Sequence, residues 1–140
     1  MRDVYILDAC ALIAALTNEE GADIVKDVFR RAADGEANVF MNKINLLEVY
    51  YGIYREYGKK AADDMFSEIK NSSVIIKSDI SDVVFKETGR FKASYKISLA
   101  DSIALAETSI SGGLLMTSDH HEFDIIEQSE PETTKFLWIR

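Results

Sequence analysis

The feature that most restricts how this 140-residue chain can fold is the rhythm of its apolar segments. Five short runs, at residues 4–7, 39–41, 74–76, 114–116 and 136–139, are rich in branched or aromatic side chains and do not alternate with polar ones. Runs of that kind read as strands buried on both faces. Longer stretches with helical spacing lie between them. Ile24, Val28 and Phe29 share one face of a helix near residues 20–33, and Leu46, Tyr50, Ile53, Tyr54 and Tyr57 do the same between 43 and 57. Further helices are expected at 9–16, 60–70, 80–93 and 99–110, with a short one after Asp119. Strands alternating with helices pair in parallel through right-handed crossovers, which gives a three-layer α/β sandwich. There is no low-complexity linker, no internal repeat and a single proline, Pro131, so one domain over residues 1–140 is expected.

The first strand runs into an apolar stretch, VYILDACALIAAL, interrupted only by Asp8. It is too short to cross a bilayer, which needs roughly 18 apolar residues, and it carries an ionisable group at its centre. The leader Met1-Arg2-Asp3 lacks the net positive charge of a signal peptide, and Cys10, the one cysteine, has no internal disulfide partner. A cytoplasmic protein without a membrane role is the expectation. The formal charge of -8 argues against a broad basic nucleic-acid face, although a carboxylate cluster that recruits divalent cations would contribute to that imbalance and present metal to a phosphate.

In a parallel α/β sheet the site forms at the carboxyl ends of the strands, where the following helices present their N-termini. Asp8 terminates the first strand there, and need not be in the core. Three further acids occupy comparable places: Glu48 in NLLEVYYG and Asp101 in SLADSIALA, each read as lying in the first turn of a helix, and Asp119 in LLMTSDHHEFD, directly after the fourth strand. Each has a capping explanation. Asp8 suits an N-cap, and Asn45 with Glu48, Ser98 with Asp101, and Asp119 with Glu122 have the spacing of capping boxes. Capping does not require that all four acids share one edge of a sheet. Carboxylates gathered there repel one another and have raised pKa values unless a cation holds them, and oxygen-only ligands suit Mg2+ or Mn2+ far better than Zn2+.

The segments LDACALIA, NLLEVYYG, SLADSIALA and TSDHHEFD together resemble the PIN-domain nucleases, and among them the small toxins of VapBC-type toxin–antitoxin pairs. The resemblance spans nearly the whole chain and keeps the order of the acids, though each piece alone is a weak motif. It implies a five-stranded parallel sheet flanked by helices, an acidic pocket for one or two Mg2+ or Mn2+ ions, and endoribonuclease activity on RNA. It carries the catalytic and metal-binding roles to Asp8, Glu48, Asp101 and Asp119, with Asp8 and Asp101 as the most direct ligands. A homodimer and a cognate antitoxin follow from the same resemblance. The family often has a small hydroxyl residue where Cys10 stands, and a thiol is a poor partner for hard metals.

Other features have two readings each. His120 and His121 are adjacent and point about 100° apart on a helix, which disfavours a shared zinc ion and suggests exposed residues near the pocket mouth. Asp124 is either a further outer acid or surface charge. Lys86, Arg90, Lys92 and Lys96, and separately Arg55, Lys59 and Lys60, either steer a polyanion or form solvated faces. Tyr50, Tyr51, Tyr54 and Tyr57 read first as packing residues. Two further functions stay open from the sequence: a stand-alone PIN nuclease for RNA processing, and a non-catalytic α/β interaction module that keeps the acids as helix caps.

Overall fold

The computed structural model describes residues 2–140. The strands are β1 (Asp3–Leu7), β2 (Ala37–Asn42), β3 (Val74–Lys77), β4 (Leu114–Thr117) and β5 (Lys135–Trp138). They form one parallel sheet in the order β3-β2-β1-β4-β5. The helices are α1 (Ala9–Leu16), α2 (Ala22–Ala33), α3 (Lys43–Tyr57), α4 (Lys59–Lys70), α5 (Asp82–Ser94), α6 (Leu99–Ser111) and α7 (His120–Ser129). The three-layer α/β sandwich read from the alternation of segments is the architecture observed.

Strand alternation sorts the core into two halves. Tyr5, Leu7, Val39, Met41 and Met116 point to one face, where they meet Leu12 of α1, Val25 and Val28 of α2, Leu46 and Val49 of α3, and Met65 and Ile69 of α4. Ile6 and Leu115 point to the other, against Val84 and Phe91 of α5, Ala104 and Leu105 of α6, and Phe123 and Ile126 of α7. The three central strands are covered on both sides, as their unbroken apolar runs require. The edge strands β3 and β5 are more open than expected, because each has a neighbour on one side only.

The chain leaves β1 towards β2 and β3 on one side of the sheet, then returns to lay β4 and β5 on the other. The sheet therefore reverses its order between β1 and β4, and a crevice opens above the carboxyl ends of these strands. Close packing at that junction depends on Gly113, where a Cβ atom would lie 2.6 Å from the Val4 carbonyl oxygen. No helix among the described residues is long and apolar enough to cross a membrane.

Candidate active site

Asp8 is the residue immediately after β1, and its Oδ1 accepts a hydrogen bond of 2.8 Å from the Ala11 backbone N–H, capping α1. It is the strand-end residue expected, and although that position need not be in the core it is buried, with 1% of its surface exposed. The cause is crowding: α6 packs against β1, and α1 against the neighbouring β4. Its second oxygen, Oδ2, is enclosed without any hydrogen-bond partner among the described residues.

Asp119 follows β4 and caps α7, with Oδ1 accepting from the Glu122 N–H at 3.1 Å. Asp101 sits in the first turn of α6, where its own N–H donates to Ser98 Oγ at 3.1 Å. Glu48 departs from expectation. Helix α3 starts at Lys43 and is capped by Asn42, whose Oδ1 accepts from the Ile44 N–H at 2.9 Å. Glu48 thus lies in the second turn, and the proposed Asn45–Glu48 capping box does not exist, since Asn45 is inside the helix and buried.

The four acids influence one another electrostatically. Burial pushes the Asp8 carboxyl up to about 7, and the charges of Asp101 and Asp119 add to the effect against the opposing pull of the Thr117 hydroxyl and the Ala11 N–H. Asp101 is also pushed up to about 7, by burial first and then by Asp119, with Glu48 and Glu122 contributing. Burial and Asp119 raise Glu48. Cys10, half-buried among them, is pushed up to about 12 by burial and by all four acids. Residues spread over 112 positions of sequence, from 8 to 119, therefore share one electrostatic environment at the point where the sheet reverses.

Among the described residues, no three acids, histidines or cysteines close tightly enough to form a metal's ligand shell by themselves. A hard dication that retains several waters needs only one or two direct carboxylates. The donor set is all oxygen, and Asp8 Oδ2 is a buried carboxylate oxygen with no protein partner. These residues fit Mg2+ or Mn2+ and do not fit zinc.

The surroundings were only partly foreseen. His120 stacks on Trp138 with ring centroids 3.9 Å apart, and its two nitrogens meet Asp124 Oδ1 at 2.8 Å and the Arg140 carbonyl at 2.9 Å. It joins α7 to the end of β5, and Asp124 serves that contact. Of the basic residues, Lys59 pairs with Asp63, Lys60 with Asp64, and Arg90 with Glu87 and Glu130, while Lys92 donates to the Ile97 carbonyl. Lys86 and Lys96 form no ion pair among the described residues. Tyr50 packs edge-on against Phe66 and donates to Asp63 at 2.6 Å, whereas Tyr51, Tyr54 and Tyr57 are exposed. Thr117 was visible only as part of TSD; its hydroxyl accepts from the Asp119 N–H at 3.0 Å, and its nearness lowers the Asp8 carboxyl against the effect of burial.

A reversed parallel sheet carrying acids at its carboxyl edge defines the class of α/β proteins with an acidic strand-end site. The sequence matches the PIN domain over residues 5–127, and the chain belongs to that family. No curated protein matches it. Among solved structures it is similar to DNA-bound VapBC from Salmonella typhimurium, with a TM-score of 0.71 at 14% identity and 100% of each chain covered. It is likewise similar to VapBC-1 from nontypeable Haemophilus influenzae, with a TM-score of 0.71 at 15% identity, covering 97% of this chain and 98% of that one. A third is VapC20 of Mycobacterium tuberculosis, a sarcin-ricin loop cleaving toxin, with a TM-score of 0.61 at 15% identity over 81% of this chain and 86% of that one.

Proposed function

We propose that this protein is a Mg2+- or Mn2+-dependent endoribonuclease that acts as the toxin of a toxin–antitoxin pair. What supports the proposal is that Asp8, Glu48, Asp101 and Asp119 influence one another's carboxyls near the sheet reversal, with one buried Asp8 oxygen left unpartnered among the described residues. Helix capping accounts for one oxygen of Asp8 and one of Asp119. It leaves Asp8 Oδ2 without a role, and it does not explain Glu48, which lies beyond the first turn of its helix.

Asp8 and Asp101 would hold the ion most directly, with Asp119 beside it, reached through the ion's waters. Once bound, such an ion makes water a better nucleophile and neutralises charge growing on the phosphoryl oxygens. The chain's own contributions are positional. Ala11 N–H fixes one oxygen of the Asp8 carboxylate, and Ser98 fixes the first turn that carries Asp101. The N-termini of α1, α6 and α7 begin at or beside the acids, and their partial positive charge favours a phosphate in the crevice. Glu48, held above the ordinary carboxylate range, is suited to orient the attacking water and accept its proton.

An antitoxin partner is supported by the structural relatives, which include VapBC assemblies. An apolar groove of about 300 Å3 between α3 and α4, lined by Leu46, Leu47, Tyr50 and Phe66, offers it a docking surface. A homodimer would cover a second groove of about 300 Å3 and the neighbouring Phe85 and Leu99, which are 70% and 58% exposed. The test is cleavage of total RNA with and without Mn2+. Wild-type protein is expected to cut only with metal, and Asp101→Asn to fold normally and lose the cleavage. Full activity in that variant would refute the assignment. Growth arrest on expression, relieved by a neighbouring small gene, separates a toxin from a stand-alone RNA-processing enzyme.

A further inference from the structure

The strand register places a second set of polar groups beside Asp8. Ile6 pairs with Phe40 and Leu7 with Met116, so the next levels bring Asp8 between Asn42 at the end of β2 and Thr117 at the end of β4. Asp8 and Asn42 both have extended backbone, so the alternation that turns Ile6 and Phe40 towards α5 and α6 carries on through them. Asn42 is 3% exposed and Asn45, one turn before Glu48 on the inward face of α3, is 1% exposed. The amide nitrogen of Asn42 and both amide atoms of Asn45 have no hydrogen-bond partner among the described residues.

Four orphaned atoms thus occupy this one end of the sheet: Asp8 Oδ2, Asn42 Nδ2, Asn45 Nδ2 and Asn45 Oδ1. They comprise two amide donors and two acceptors. Leaving a buried polar group unsatisfied costs about 1–3 kcal/mol, and a folded chain does not keep several such groups together without a use. A simple structural role does not explain them. Asn42 already spends its oxygen capping α3, and the Asn45 amide bonds nothing among the described residues, where an apolar residue of the same size would fill the space at no polar cost.

We propose that Asn42 and Asn45 are positioning residues for Asp8. Their amides hold ordered water against Asp8 Oδ2 and fix that carboxylate in the orientation that receives the cation. Water closes the set because it both donates and accepts, and buried waters with two to four polar partners are regular parts of folded proteins. Carboxylates that ligate metals are themselves hydrogen-bonded by outer groups, whose loss costs about 10–100-fold in affinity or activity. The inference rests on the metal-site reading above and assigns the inner face of that site to two residues outside the four acids.

The test pairs Asn45→Leu, which replaces the amide by an apolar group of similar size, with Asn42→Ser, which keeps the α3 cap and removes the amide donors. Isothermal titration with Mn2+ is expected to show affinity lowered about tenfold or more in each. Turnover on RNA should fall with little change in KM, and the thermal midpoint of metal-free Asn45→Leu should stay level or rise, since no bonded partner is lost. Unchanged Mn2+ affinity in both variants, beside a wild type that binds, overturns this inference and leaves the metal site standing. A wild type that binds no Mn2+ overturns both. A high-resolution crystal structure of the metal-free protein is a separate arm. Water shared between the two amides and Asp8 is expected, and amides bonded away from Asp8 would overturn the proposal.

Discussion

Replacing Asp8 by Asn should make the metal-free protein more stable, and by an amount that depends on pH. Asn retains the side-chain oxygen that caps α1 through the Ala11 N–H and removes only the ionisable oxygen. The Asp8 carboxyl rises from its ordinary value of 3.8 to about 7 in the folded chain. A carboxyl whose folded pKa is raised leaves the native state holding a proton that the unfolded chain has already released. Its effect is absent below pH 3.8, grows as pH climbs towards 7, and is complete above 7. A rise of this size corresponds to a penalty of up to about 4 kcal/mol for a fully buried group. For a domain of this length that is on the order of 12 °C in thermal midpoint. The assay is thermal unfolding by circular dichroism in chelated buffer at pH 4 and pH 8. Asp8→Asn should exceed wild type clearly at pH 8 and by little at pH 4. Adding Mn2+ at pH 8 should raise the wild type, because ligand binds the native state alone, and should leave the variant where it was. A variant no more stable than wild type at pH 8, or one with an equal gain at both pH values, would refute the reasoning.

Two other substitutions or reagents probe the same edge of the sheet. Gly113→Ala places a methyl 2.6 Å from the Val4 carbonyl where β4 enters beside β1, and should cost about 1–3 kcal/mol in denaturant unfolding. An unchanged midpoint would show that the strand junction yields freely. Cys10, pushed up to about 12 by burial and the surrounding acids, should react with iodoacetamide at pH 8 roughly a thousandfold more slowly than free cysteine. Rapid alkylation of the folded metal-free protein would contradict the electrostatic picture of the site.

The layer architecture was legible because the strand runs and helical stretches differ in length and period, so elements such as α1 and α3 fall at the residues that periodicity indicates. Asp8, Asp101 and Asp119 were legible as strand-end or helix-start residues, since sequence order alone orders the carboxyl edge of a parallel sheet, whereas Glu48 lies one turn further into its helix than the sequence suggested. What was hidden depends on distance across the sheet. The burial of Asp8 arises from α6, some ninety residues further along, closing over β1. The true cap of α3 is Asn42, and a sequence with two asparagines three positions apart does not say which of them begins the helix. The His120–Trp138 stack and the Lys77–Glu107 pair, 2.9 Å apart with Glu107 buried, each join elements that are remote in sequence. None of these has a local signature, because nearest-neighbour spacing carries no information about register.

The most direct measurement of the central claim is anomalous diffraction from crystals soaked in Mn2+. The account predicts a manganese peak in the crevice at the sheet reversal, ligated by Asp8 and Asp101 with Asp119 beside it, and no such peak in Asp8→Asn. RNA cleavage by a protein whose acids hold no manganese, or manganese bound only at a distant surface, would contradict it.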